Sequence, residues 1–140
     1  MDELHAGGCL CQGVRYEFSG TPVMAVNCYC RDCQRVTGSA FATVLALPQT
    51  VFHLLKGDGE LGSFTVKASS GRDVTREFCK VCGSPLFTKA KMVPGLIFVK
   101  AGSLDDSSWV SPAINCWTSR KEAWMPVAAD IQSFPENPEM

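Results

Sequence analysis

Cys9-Leu10-Cys11-Gln12-Gly13-Val14-Arg15-Tyr16-Glu17-Phe18 sets a close cysteine pair directly before an alternation of apolar and charged residues. Val14, Tyr16 and Phe18 share one side and Arg15 and Glu17 the other, which is the period-2 pattern of a half-buried strand. If Cys9 and Cys11 lie on one strand, they face the same way about 6.6 Å apart. A disulfide needs Cβ atoms roughly 3.8 Å apart, whereas two thiolates can lean toward one zinc ion at about 2.3 Å each. The stretch reads as half of a metal site attached to a strand.

The same spacing recurs downstream. Cys28-Tyr29-Cys30-Arg31-Asp32-Cys33 and Cys79-Lys80-Val81-Cys82-Gly83 bring the clustered cysteines to seven of the eight in the chain. Tight pairs repeated along a chain are the arrangement that thiolate metal ligands need. Cys9/Cys11 and Cys79/Cys82 each lack the ligands for a site alone, and together they supply the four of a closed tetrahedral zinc. Gly83 suits a knuckle that turns backbone amides toward sulfur and needs positive φ. Cys28, Cys30 and Cys33 supply three ligands, with water, a substrate or Cys116 as the fourth. If Cys116 closes that site, both metals are structural and the protein is a binding module; a buried Cys116 of ordinary core type leaves the site open. Spacing also permits Cys30/Cys33 to pair with Cys79/Cys82 as a plain zinc ribbon.

Further strands are expected at Met24–Cys28, Ala40–Leu47, Val51–Leu55, Gly62–Lys67, Val74–Phe78, Pro85–Lys89, Leu96–Lys100 and Ile114–Thr118, separated by glycine-rich turns. One short helix is expected from Arg31 to Val36, closed by Gly38. Residues 1–140 are read as a single mainly β domain of short antiparallel strands with little helix, its core spanning about residues 5–130. The tail Pro135-Glu136-Asn137-Pro138 is expected to be loose.

Bulk properties narrow the function. Hydrophobic residues make up 46% of 140, enough for one packed core. The net charge of -1, from 13 basic and 14 acidic residues, argues against nucleic-acid and electrostatic membrane partners. Met1-Asp2-Glu3-Leu4-His5 has neither the basic start nor the apolar run of a signal peptide, so a cytoplasmic protein is expected. Thiols stay reduced there, which favours metal over disulfides. Three thiolates leave a zinc centre with a net charge of about -1 and a preference for soft sulfur in the fourth position. The chemistry implied is activation of a thiol compound.

Around the clusters, Arg31, Arg35 and Arg76 could hold a carboxylate or offset the thiolate charge, and Ser39 or Arg31 could orient a substrate. His5 is expected to be solvated and His53 to point outward from its strand. Trp109, Trp117 and Trp124 are expected to fill core, and Asp105-Asp106 to form a turn.

Gly7-Gly8-Cys9-Leu10-Cys11, the run Cys28 to Cys33 with Gly38-Ser39-Ala40, and Arg76-Glu77-Phe78-Cys79-Lys80-Val81-Cys82-Gly83 resemble the glutathione-dependent formaldehyde-activating enzyme family, whose domain centromere protein V shares. Gly102-Ser103-Leu104-Asp105 and Pro112 through Trp124 extend the resemblance over nearly the whole chain. It implies a β-tent fold and two zinc ions, one structural on Cys9, Cys11, Cys79 and Cys82 and one catalytic on Cys28, Cys30 and Cys33. It also implies a carbon–sulfur lyase reaction, the addition of glutathione to formaldehyde to give S-(hydroxymethyl)glutathione. The alternative is a non-catalytic zinc module that binds a protein partner. Tyr29 and Asn115 stand where the family often has histidine.

Overall fold

The computed structural model describes residues 3–138. Its strands are β1 (Leu4–Gly8), β2 (Arg15–Ser19), β3 (Met24–Cys28), β4 (Ala42–Pro48), β5 (Phe52–Lys56) and β6 (Leu61–Lys67), followed by β7 (Asp73–Cys79), β8 (Pro85–Ala90), β9 (Leu96–Lys100), β10 (Ile114–Cys116) and β11 (Gln132–Ser133). One helix, α1 (Arg31–Thr37), follows β3. The fold is mainly β, as the alternation of the sequence requires.

The strands form a three-stranded sheet, β1-β2-β5, and an eight-stranded sheet, β11-β10-β3-β4-β9-β8-β7-β6. Most pairs are antiparallel, but β10 runs parallel to both β3 and β11. The main core lies where the small sheet faces the middle of the large one. Tyr16 and Phe18 of β2 meet Leu45, Leu47, Phe87, Ile97 and Val99 there, all buried. The Tyr16, Phe52 and Phe87 rings pack 5.0 to 5.5 Å apart, centroid to centroid, a geometry that adds about 0.5–1.5 kcal/mol per pair beyond burial.

The two faces of β4 and β9 explain why both read as unbroken apolar runs. Odd-numbered residues point into the main core, and even-numbered residues, Val44, Ala46, Leu96 and Phe98, line a cavity on the opposite face. A strand covered on both sides has no need of a polar alternate.

Several expectations change. Strand β1 had no counterpart in the sequence reading, because His5-Ala6-Gly7-Gly8 lacks β-branched residues; its pairing with β2 forms it. His5 is not solvated but stacks on Trp109, with centroids 4.2 Å apart. His53 is exposed as expected. Of the tryptophans, Trp109 packs against the core, Trp117 lines the cavity and Trp124 is exposed. The tail is not loose over Phe134–Asn137. Backbone bonds run from Trp117, Thr118 and Ser119 amides to the carbonyls of Glu136, Phe134 and Pro135, and the Trp117 indole donates to Asn137 Oδ1 at 2.7 Å. A Pro-rich composition obscures this, since the partner segment Trp117–Ser119 lies outside the tail. No helix among the described residues is long and apolar enough to cross a membrane.

Candidate metal centres and the cavity beside them

Cys9, Cys11, Cys79 and Cys82 converge, with all four sulfurs within 4.8 Å of one another. Cys9 and Cys11 do not lie on a strand; they occupy a turn between β1 and β2. There the Val14 amide donates to Cys9 Sγ at 3.2 Å and the Gly13 amide to Cys11 Sγ at 3.4 Å. A straight strand would spend those amides on its neighbours, so the turn is what makes them available to sulfur. The Cys79 end is built likewise. Gly83 takes φ 77°, and its amide donates to the Cys79 carbonyl at 2.8 Å. The Ser84 hydroxyl ties the two ends together, accepting from the Leu10 amide at 3.0 Å and lying 3.2 Å from Cys82 Sγ. That hydroxyl is the first cause lowering the Cys82 thiol to about 5, followed by the Cys11 and Ser84 amides.

The site passes a geometric test for metal. Four sulfurs at about 2.3 Å from a tetrahedral ion stand roughly 3.8 Å apart. The Cys9–Cys11 and Cys11–Cys79 sulfur separations are 3.5 and 3.8 Å. This partition excludes the ribbon that joins Cys30/Cys33 with Cys79/Cys82.

The second group is Cys28, Cys30 and Cys33, whose sulfurs also lie within 4.8 Å of one another. Cys28 ends β3; Cys30 caps α1, its sulfur accepting from the Cys33 amide at 3.3 Å; Cys33 lies in the first turn. Gly38 stops the helix with φ 66° and an amide bond to the Gln34 carbonyl. The helix is thus a single short device for presenting two sulfurs beside a third. Cys116 is buried opposite Cys28 in the β3–β10 register but is not part of the three-sulfur group. It remains a neighbour, since hydrogen bonding with the Cys116 thiol is the first cause raising the Cys28 pKa.

The three sulfurs open onto a cavity of about 580 Å³ whose floor is the large sheet. Lys100 stands on that floor, 8% exposed, with Nζ 3.4 Å from Thr88 Oγ1. Burial lowers its pKa, and the charges of Cys33, Cys28 and Cys30 act to raise it. Arg76 reaches in from β7 with its side chain 14% exposed and Nη1 4.0 Å from Asp32 Oδ2. Its Nε is buried without a hydrogen-bond partner among the described residues, an arrangement that costs roughly 1–3 kcal/mol if left unmet. A cation-lined cavity beside clustered thiols can receive an anionic thiol compound.

Of the residues named in the sequence, Arg31 and Arg76 line this cavity and Arg35 and Ser39 do not. Sequence reasoning missed Lys100, Thr88 and Phe98. The signal was present in Leu96-Ile97-Phe98-Val99-Lys100, where a lysine shares the parity of Leu96 and Phe98, but the face it marks depends on strand pairing. Asp105 and Asp106 are engaged elsewhere, Asp105 by Arg15 at 2.5 Å and Asp106 by the Ser108 amide at 2.9 Å.

The profile of the family described as glutathione-dependent formaldehyde-activating enzyme matches residues 4–120. The chain belongs to that family. The chain is also similar in fold to the crystal structure of a Rhodobacter sphaeroides protein solved as a structural genomics target. The TM-score is 0.59 at 20% identity, covering 76% of this chain and 91% of that one. The two positions where the family often carries histidine face away from the cavity here. Tyr29 is fully buried against Phe41 and donates to the Pro126 carbonyl at 2.5 Å. Asn115 donates to the Ala128 carbonyl at 2.9 Å and accepts from Asn27 at 3.2 Å. Both side chains join chain segments, so neither substitution takes a group from the face that holds the three sulfurs.

Proposed function

We propose that this chain is a zinc-dependent carbon–sulfur lyase-type enzyme that joins glutathione or a related thiol to a small aldehyde and reverses that step. The observation that carries the reading is the convergence of Cys28, Cys30 and Cys33 at the wall of a cavity that also holds Lys100 and Arg76. Cys9, Cys11, Cys79 and Cys82 would hold a structural zinc, and Cys28, Cys30 and Cys33 a second with one position open. Zinc, when bound to thiolates, favours a further soft sulfur ligand and keeps it ionised.

The remaining steps belong to this chain's side chains. Arg76, with an unmet buried Nε, and Arg31 receive substrate carboxylates and orient the thiol. The thiol proton leaves through the open mouth of the cavity. Sulfur attacks the carbonyl carbon, a carbon–sulfur bond forms, and the carbonyl oxygen takes up a proton. Lys100 Nζ offsets the negative charge of the sulfur cluster and donates a hydrogen bond to that oxygen as its charge develops. A cytoplasmic setting, where thiols stay reduced, suits a protein built on seven thiolate ligands.

Native mass spectrometry with and without glutathione tests the reading, together with exchange NMR on glutathione and formaldehyde. Two zinc ions per chain, a zinc-dependent glutathione adduct and faster exchange are expected. Two zinc ions with neither adduct nor acceleration would sink the enzyme and favour a zinc module that binds a protein partner.

A further inference from the structure

The cavity is more apolar than a formaldehyde adduct of glutathione requires. Alternate residues of β3, β4, β9, β8 and β7 form its floor, and their register sorts them into two ends. Lys100 stands opposite Val44 and Arg76 opposite Thr88, close to the three sulfurs. Moving away from the sulfurs, Met24 stands opposite Ala46, Ala46 opposite Phe98, and Val74 opposite Ala90. Met92 and Leu96 carry the apolar surface out to the mouth. The floor is thus cationic beside the sulfurs and apolar beyond them, with Lys67, Arg72 and Asp73 of the β6–β7 turn at its edge and Lys67 paired to Asp73.

Glutathione is polar along its length and carries two carboxylates, which match the cationic end. Formaldehyde adds a single carbon and leaves the apolar end empty. Clefts and cavities of about 300–1,000 Å³ take whole small molecules, and this one continues directly from the sulfur cluster. We infer that the second substrate is an aldehyde bearing a medium-length apolar chain, which lies along Met24, Ala46, Phe98, Ala90 and Met92 while its carbonyl carbon meets the thiol. This rests on the function proposed above and narrows its substrate. The step is balanced as written: RSH and R′CHO give RS–CH(OH)R′, with one carbon–sulfur bond formed, the carbonyl π bond broken, the proton lost from sulfur to water matched by one taken up at oxygen, and nothing oxidised or reduced.

Each methylene buried contributes a factor of about three to four. The zinc-loaded protein is assayed by exchange NMR with glutathione and formaldehyde, propanal or hexanal. The expected result is a rise in kcat/KM of about thirty- to sixtyfold from propanal to hexanal. Binding is read independently by calorimetry with S-methyl-, S-propyl- and S-hexylglutathione, and affinity should climb by a similar factor per methylene. Ala90→Phe, which fills the floor, should lower the hexanal-to-propanal ratio at least tenfold. Met92→Asp, at an exposed position where folding is not at stake, should lower it several-fold. A flat series in both assays, with formaldehyde still accelerated, overturns the inference and leaves the proposed function standing. A gain seen with hexanethiol and formaldehyde in place of glutathione and hexanal also overturns it, since the chain then belongs to the thiol. No acceleration of any aldehyde, formaldehyde included, removes the underlying function and this inference with it.

Discussion

Cys28 and Cys116 stand directly opposite one another in the parallel pairing of β3 with β10. One belongs to the three-sulfur group and the other does not. Cys30 and Cys33 come from the start of α1, directly after β3, so three sulfurs converge within the six residues Cys28–Cys33 without a ligand from β10. Cys116→Ser should therefore keep two zinc ions per chain and full glutathione-dependent activity. Native mass spectrometry reads the first, and loss of one zinc would make Cys116 a ligand.

The two metal centres predict opposite phenotypes for one kind of substitution. Cys30→Ser should leave a folded chain that has lost one zinc and its activity, because α1 and β3 remain held by their own bonds. Cys82→Ser should unfold the domain at 25 °C. Structural zinc contributes on the order of 10 kcal/mol, comparable with the whole stability of a small domain. Circular dichroism and zinc counting separate the two outcomes.

A strong chelator should remove zinc in two phases. The three-cysteine group faces the cavity and should empty first, with the fold intact. Cys9 and Cys79 are buried in the main core, so the four-cysteine group should empty only as far-ultraviolet dichroism collapses. A single phase coincident with unfolding would contradict this order.

Lys100→Met separates a role in chemistry from one in packing. The ammonium is buried, with Thr88 its one hydrogen-bond partner among the described residues, so an apolar replacement should leave the melting temperature equal or higher. Activity should fall about a hundredfold or more, and Lys100→Arg should restore part of it. A fall in stability matching the fall in activity would make the residue merely structural.

The Arg15–Asp105 pair gives a pH dependence of known sign. Its hydrogen bonds, at 2.9 and 2.5 Å, hold the Asp105 carboxyl below its usual range. A depressed folded pKa stabilises above the unfolded value of about 3.9, and that stability disappears as pH falls through the folded pKa. Asp105 is half-exposed, so the pair is worth at most about 1 kcal/mol. Asp105→Asn should melt about 2 °C lower at pH 7, with the gap to wild type closing below about pH 4. A gap that persists at pH 3 would locate the effect in packing.

Much of the fold was legible because its signals are local. The alternation Val14-Arg15-Tyr16-Glu17-Phe18 marks β2, Gly38 marks the end of α1, and the spacing of the paired cysteines marks metal. Where signals were weak, the structure differs. His5 could not announce its stacking on Trp109, about a hundred residues further along the chain. Nor could Gln132 and Ser133 announce a strand that exists only because β10 is beside it.

Composition and spacing by themselves determined a mainly β chain and marked seven clustered cysteines as metal ligands, because cysteine spacing and strand period are written in consecutive residues. Only tertiary structure decided that Cys116 stays outside the three-sulfur group, that Tyr29 and Asn115 face away from it, and that Lys100 and Arg76 share its cavity. The reason is register. Lys100, Thr88 and Arg76 lie on three neighbouring strands, and a one-residue slip in any of them would turn its side chain to the opposite face of the sheet.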